Sequence, residues 1–182
     1  MLILIGEQTP LKYTSYLNKF VGRCPGTNPK AWYENIKISY MPSGDLSLDF
    51  DIVVKQPFGD PLQTTWVIER CSAREALDTC SHFAEFKTKK FCSMLAGTDT
   101  AWSSFMSCIH PKYKCPFRKM TYVGRNCSVD PNRFVIPVAG SYWKIKSEVV
   151  DLRDNSVALC ITAYTGRGDF VVFLGFQNKY IE

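Results

Sequence analysis

Apolar and polar positions alternate along two neighbouring stretches. Ile36, Ile38 and Tyr40 are separated by Lys37 and Ser39, and Leu46, Leu48, Phe50, Ile52 and Val54 by Ser47, Asp49, Asp51 and Val53. A period of two places one set of side chains on one face of a strand. Pro42-Ser43-Gly44-Asp45 between the stretches is a turn signal, so the whole reads as a β-hairpin. After the polar break Gln56-Pro57-Phe58-Gly59-Asp60-Pro61, a further strand is predicted over Thr64 to Cys71, with Trp66 and Ile68 inward.

The pattern changes at residue 73. Ala73 to Leu95 contains no Pro or Gly, and Leu77, Cys80, Ala84 and Phe91, with Phe83 alongside, approximate a helical stripe. Thr98 or Asp99 is placed to cap a second, short helix carrying Trp102, Phe105 and Met106. Pro111 and Pro116 end it by His110. Beyond Tyr122 the β-period returns. Phe134-Val135-Ile136-Pro137 is a short strand. Trp143, Ile145, Ser147 and Val149 oppose Lys144, Lys146 and Glu148; Arg153-Asp154-Asn155 turns the chain, and Val157, Leu159 and Ile161 come back. Gly166-Arg167-Gly168 reads as a hairpin turn before an apolar run, Phe170 to Phe176, taken as the last strand. Residues 7–31, with Pro10, Gly22, Pro25, Gly26 and Pro29, read as an irregular arm anchored by Cys24.

At 182 residues the chain has the length of one domain with a core of its own. Its eight cysteines form no Cys-x-x-Cys pair, and there are only two histidines, His82 and His110. That pattern predicts four disulfides in an oxidising compartment, and no metal. Met1-Leu2-Ile3-Leu4-Ile5-Gly6 is apolar but lacks a basic start and is shorter than a signal's apolar core. It is either a signal-peptide remnant or an ordinary first strand. The organisation expected is an arm over 1–23, with the possible remnant at 1–6, followed by a single domain over 24–182. Asn126-Cys127-Ser128 is a glycosylation sequon for a secreted chain. No window reaches the roughly 18 apolar residues of a membrane-spanning helix. The net charge of +5 is dispersed. Its densest group, Lys87, Lys89 and Lys90 on the expected helix, is a solvated face or, more sharply, a site for anionic head groups or an acidic partner.

Catalytic chemistry finds little support. A nucleophilic cysteine would have to escape pairing and meet a histidine base, and no serine has the glycines of a nucleophile elbow. Asp49 and Asp51 share the solvent face of the hairpin and lack the apolar pocket of a glycosidase acid. Tyr142-Trp143-Lys144 and Lys112-Tyr113-Lys114 are the only local mixtures of base and aromatic, so nucleic acid is not an expected partner. No cofactor is expected. Twelve Phe, nine Tyr and four Trp, 14% of the chain, are a heavy aromatic load. In a two-sheet β-protein such residues either fill the core or line a cavity between sheets that part.

Cys115-Pro116-Phe117 with Thr121-Tyr122 four residues on, Gly140-Ser141-Tyr142 opening a strand, and Asp154-Asn155-Ser156 leading to Ala158-Leu159-Cys160-Ile161 resemble the ganglioside activator proteins of the ML lipid-recognition superfamily. The resemblance covers roughly residues 24–165. Within the superfamily, Trp66-Val67-Ile68-Glu69, the insert with Trp102, and Tyr142-Trp143-Lys144 look most like the insect chemosensory branch called CheA and CheB. The fold then expected is mainly β: a two-sheet β-cup or sandwich of seven to eight antiparallel strands, with a short helical insertion and four disulfides.

The resemblance implies a secreted, extracellular, non-enzymatic binder of a hydrophobic small molecule or lipid, such as a cuticular hydrocarbon. It would work in chemosensation or contact-pheromone detection. Trp66, Ile68, Leu95, Trp102, Phe105, Met106, Tyr142 and Trp143 are the expected cavity or rim residues. Eight cysteines allow 105 pairings; carried over from the family, they become Cys24–Cys160, Cys71–Cys80, Cys92–Cys115 and, by remainder, Cys108–Cys127. The family has a cysteine just upstream of Cys-Pro-Phe, where this chain has Tyr113 and Lys114, and Cys127 stands in for it. Two other functions remain: an extracellular accessory protein that docks a membrane receptor or channel of sensory cells without a cavity, and an activator presenting glycolipids to a hydrolase.

Overall fold

The structure, a computed structural model, describes residues 12–41, 46–73, 76, 78–97, 103–129 and 142–170. Nine strands and two short helices lie among them: β1 (Lys12–Val21), β2 (Ala31–Tyr40), β3 (Leu46–Val54), β4 (Leu62–Cys71), β5 (Ser81–Thr88), α1 (Phe91–Ala96), α2 (Ser103–Ser107), β6 (Ile109–His110), β7 (Met120–Val129), β8 (Tyr142–Asp151) and β9 (Ser156–Phe170). The hydrogen-bonded order is β5-β4-β8-β9-β2-β3-β7-β6, with β1 also on β9. Every pairing is antiparallel except one parallel contact, Ala31 with Leu159, which joins β2 to β9. This narrow seam divides the order into two halves, β5-β4-β8-β9-β1 and β2-β3-β7-β6. The protein is mainly β, with a short helical insertion between the halves.

The predicted hairpin is β2–β3, and the alternation of β3 explains its burial. Leu46, Leu48, Phe50, Ile52 and Val54 are all buried, while Asp49 and Asp51 are half-exposed. Asp49 and Asp51 instead hold β7, accepting the Asn126 N–H at 2.8 Å and Arg125 Nη2 at 2.8 Å. The turn at 42–45 lies outside the described residues. The buried faces of the halves meet in one cluster, with Leu48, Phe50, Ile52 and Tyr122 from one and Leu62, Val149 and Leu159 from the other. Each such side chain contributes about 1.5–3 kcal/mol when fully buried. One end is plugged by rings: Phe58 and Tyr113 lie 4.6 and 4.3 Å from Phe117, centroid to centroid, and Phe91 of α1 lies at 6.3 Å. Gly124 is required where β7 passes Phe50, since a Cβ there would lie 2.4 Å from the ring.

The bridges are Cys24–Cys160, Cys71–Cys80, Cys92–Cys115 and Cys108–Cys127, the same four pairs that the resemblance implies. Two of them pin the helical insertion to β7 and the segment before it. Cys24–Cys160 staples the start of the chain beside the seam. There the Lys30 amide donates to Val157 O, and its ammonium bridges Asp151 at 2.7 Å and Asp154 at 2.8 Å. Lys30 and Asp151 are 7% and 0% exposed, so this ion pair is part of the core.

Four expectations differ from what is observed. Residues 12–21, read as part of an irregular arm, form β1: they pair with β9 from Lys12–Phe170 to Val21–Thr162, and the pairing partner outweighs the weak local pattern. Among the described residues, the helix expected from Ala73 to Leu95 is replaced by β5 over Ser81–Thr88, and helix survives over Phe91–Ala96. Ala84 and Phe86, alternating with Glu85 and Lys87, satisfy period two as well as the helical stripe. Cys71–Cys80 folds the chain back so that β4 supplies the hydrogen bonds. Lys87 therefore lies on a strand. Gly166-Arg167-Gly168, read as a turn, runs inside β9. A Cβ on Gly166 would lie 2.7 Å from Tyr16 Oη and 3.0 Å from Tyr142, so the glycine admits two rings over the strand. Leu77, Thr98, Asp99, the strand at 134–137 and the run at 171–176 lie outside the described residues.

Candidate functional site: an open apolar face

Cross-strand register sets out the face of the β5-β4-β8-β9 half in rows. Thr88, Thr64, Val149 and Leu159 form the first row; Phe86, Trp66, Ser147 and Ile161 the second; Ala84, Ile68, Ile145 and Ala163 the third. The first row is sealed and the next two are not. Thr64 and Val149 are 0% exposed and Leu159 5%. Trp66, Ser147, Ile161, Ile68, Ala84, Ile145 and Ala163 are only half-buried, and Phe86 is 55% exposed. Trp66, Ile68 and Ile145 stand apart from the buried cluster that the first row joins. The same face is thus sealed at its first row and partly open over the next two; in the row beyond, Arg70, Trp143 and Thr165, it is closed again at Trp143, which is 3% exposed.

The opposite face of these strands is polar, as the alternation requires. Glu69 pairs with Lys144 at 2.6 Å, Glu148 with Lys146 at 3.3 Å and Glu85 with Lys87 at 2.8 Å. Such solvated pairs add little to stability, because water and salt screen them. The lysine group at 87–90 is therefore partly neutralised within its own strand. The open face carries no charged side chain in its three rows.

The structure brings together some of the sequence-predicted site residues. Trp66 and Ile68 sit side by side on the open face. Trp143 is 3% exposed and meets Phe83 edge-on at 5.0 Å, so it underlies the rim. Phe83 itself is 52% exposed. Tyr142, one residue from Trp143, points to the other side of the sheet, 6.4 Å from the Tyr16 ring, because successive side chains of a strand alternate. Leu95, Phe105 and Met106 are half-buried on the central cluster, and Phe105 stacks on Phe50 at 5.2 Å. Trp102 lies outside the described residues. Asn126 is exposed at a left-handed position (φ 51°), beside the disulfide-bonded Cys127 of its sequon.

Sequence reasoning overlooked Phe86, Ala84 and Ile145 as members of one face. The signal was present in the two-residue period of 84–88, which a helical reading hides. All eight cysteines are in disulfides. Burial pushes the Tyr33 phenol upward, so it stays protonated. Arg153 first, then Lys30, holds the Asp151 carboxyl far below the usual carboxylate range against the opposing effect of burial. Among the described residues no helix is long and apolar enough to cross a membrane. No protein-family model matches this chain, and no curated protein matches it.

Proposed function

We propose that this chain is a secreted, non-enzymatic binder of hydrophobic ligands, a ganglioside-activator-like member of the ML superfamily that works in chemosensation. The observation that carries the reading is the step in burial from Thr64 to Trp66 and Ile68: two uncharged, largely apolar rows that continue the face of the core and are left partly open, with Arg70 next along the same face. Exposed apolar surface of this kind marks a ligand or partner site. Binding would be driven by burial of apolar surface, at about 25 cal/mol per Å². Four disulfides suit an oxidising, extracellular setting.

Native mass spectrometry of protein made through a secretory pathway tests this reading. Apolar adducts that disappear on denaturation are expected, with the non-reduced mass two hydrogens lighter for each bridge. Trp66→Ala should weaken adduct formation about tenfold or more while costing about 1 kcal/mol of stability or less, since the side chain is half-exposed. Fully oxidised protein that takes up neither lipid nor long hydrocarbon would move the reading to a receptor-docking module. Phe83 and Phe86, at 52% and 55% exposure on the edge strand β5, favour that second reading.

A further inference from the structure

The described interior contains two buried hydroxyls with no hydrogen-bond partner, Thr64 Oγ1 and Tyr113 Oη. An unpartnered hydroxyl in an apolar setting is destabilising, so each such group calls for a cause. Thr64 is 0% exposed and stands two residues from Trp66 on the same face of β4, in the row where the open face closes. Its row neighbours, Val149 and Thr88, are the last side chains that a ligand lying along Trp66 and Ile68 would reach. Tyr113 belongs to the ring plug, with Phe117 and Phe91, and α1, which carries Phe91, packs beside β4. Burial first, then Tyr33 and Tyr122, keeps the Tyr113 phenol protonated, and no cation acts on it.

Resting on the apolar-ligand reading above, we infer that the open face takes a neutral long-chain ligand bearing a hydroxyl or carbonyl oxygen, entering oxygen first, and that Thr64 hydrogen-bonds that oxygen. A pure hydrocarbon leaves the Thr64 hydroxyl unpartnered. An ionised carboxylate entering oxygen first would leave Arg70, in the row beyond Ile68, behind it and reach inner rows that hold no lysine or arginine, where an uncompensated charge is strongly disfavoured. An alcohol, ester or ketone satisfies both conditions. Thr64 can donate to a carbonyl, and can donate to or accept from an alcohol.

Displacement of N-phenylnaphthylamine by hexadecane, hexadecanol and palmitate at neutral pH tests the assignment, on wild-type protein and on Thr64→Val and Thr64→Ser. Hexadecanol should bind about tenfold tighter than hexadecane and tighter than palmitate. Thr64→Val, which is nearly isosteric, should bring hexadecanol down to the hexadecane level without weakening hexadecane, and should melt no lower than wild type. Thr64→Ser should retain the preference. Equal affinity for hexadecane and hexadecanol, or a preference that survives Thr64→Val, overturns the anchor and leaves the apolar-ligand reading standing. Failure of all three ligands to displace the probe removes that reading, and the anchor with it.

Discussion

At the scale of single residues, Lys30 and Asp151 carry the most stability that can be tested by one substitution. Removing Asp151 leaves the buried Lys30 ammonium with Asp154 alone, so the cost falls below the roughly 3–5 kcal/mol of a wholly unpaired buried charge. Asp151→Ala should therefore lower the unfolding free energy by about 1–3 kcal/mol in denaturant titration. The same cluster predicts a pH dependence. Asp151 is depressed below the usual range, and Asp154 is held at about 2, chiefly by Lys30 and then by Ser156. Both titrate near 3.9 when unfolded, so between about pH 4 and 2 the unfolded chain binds more protons. Their contribution is thus complete above about pH 4 and lost as the pH falls through that window. At Lys30, burial lowers the pKa, but Asp151 and Asp154 outweigh it and the net shift is upward. Its contribution is present throughout the neutral range and is lost only on strong alkalinisation. Asp151→Asn should flatten the acid limb of a stability profile, whereas an unchanged limb would assign acid sensitivity to other carboxylates.

At the scale of elements, β5 and β9 show where local pattern runs out. The β2–β3 hairpin was legible because its alternation is long and its two strands are adjacent in sequence. In Ser81–Thr88 the apolar positions fit two periods, and no local feature decides between them. The strand wins because Cys71–Cys80 and the register from Thr64–Thr88 to Arg70–Ser81 give it a partner. At Gly166 the sequence shows a flexible residue, and only the neighbouring strands show that its bareness admits Tyr16 and Tyr142. Gly166→Val should consequently destabilise the chain by about 1–3 kcal/mol through overpacking, and amide exchange should quicken in β1 and β8 together. Exchange that quickens in β9 alone would mean that the rings move aside.

At the scale of the whole molecule, the two halves are joined by little hydrogen bonding: a parallel contact at Ala31–Leu159 and a few bonds such as Lys30 N–H to Val157 O, Tyr33 N–H to Gly22 O and the Leu17–Tyr40 pair, beside the Cys24–Cys160 bridge. That bridge closes a sequence separation of 136 residues, worth about 4–5 kcal/mol in the chain-entropy view. Replacing both cysteines with alanine should lower stability by about that amount in guanidinium titration, while β3 and β7, paired in the other half, retain most of their exchange protection. A loss under about 1 kcal/mol would show that the ion cluster and the shared core hold the seam without it.

The sequence by itself determined the mainly β character, the hairpin, the strands around Trp66, Trp143 and Leu159, and an oxidised cysteine framework. These follow from alternation, turn residues and an even cysteine count, all of which act over a few neighbouring positions. The tertiary structure decided which strand lies beside which, that 12–21 and 81–88 are strands, and that Trp143 is buried while Trp66 stands open. Pairing and burial join residues as far apart as Lys12 and Phe170, and an apolar side chain looks the same in the sequence whether its face is sealed or left uncovered.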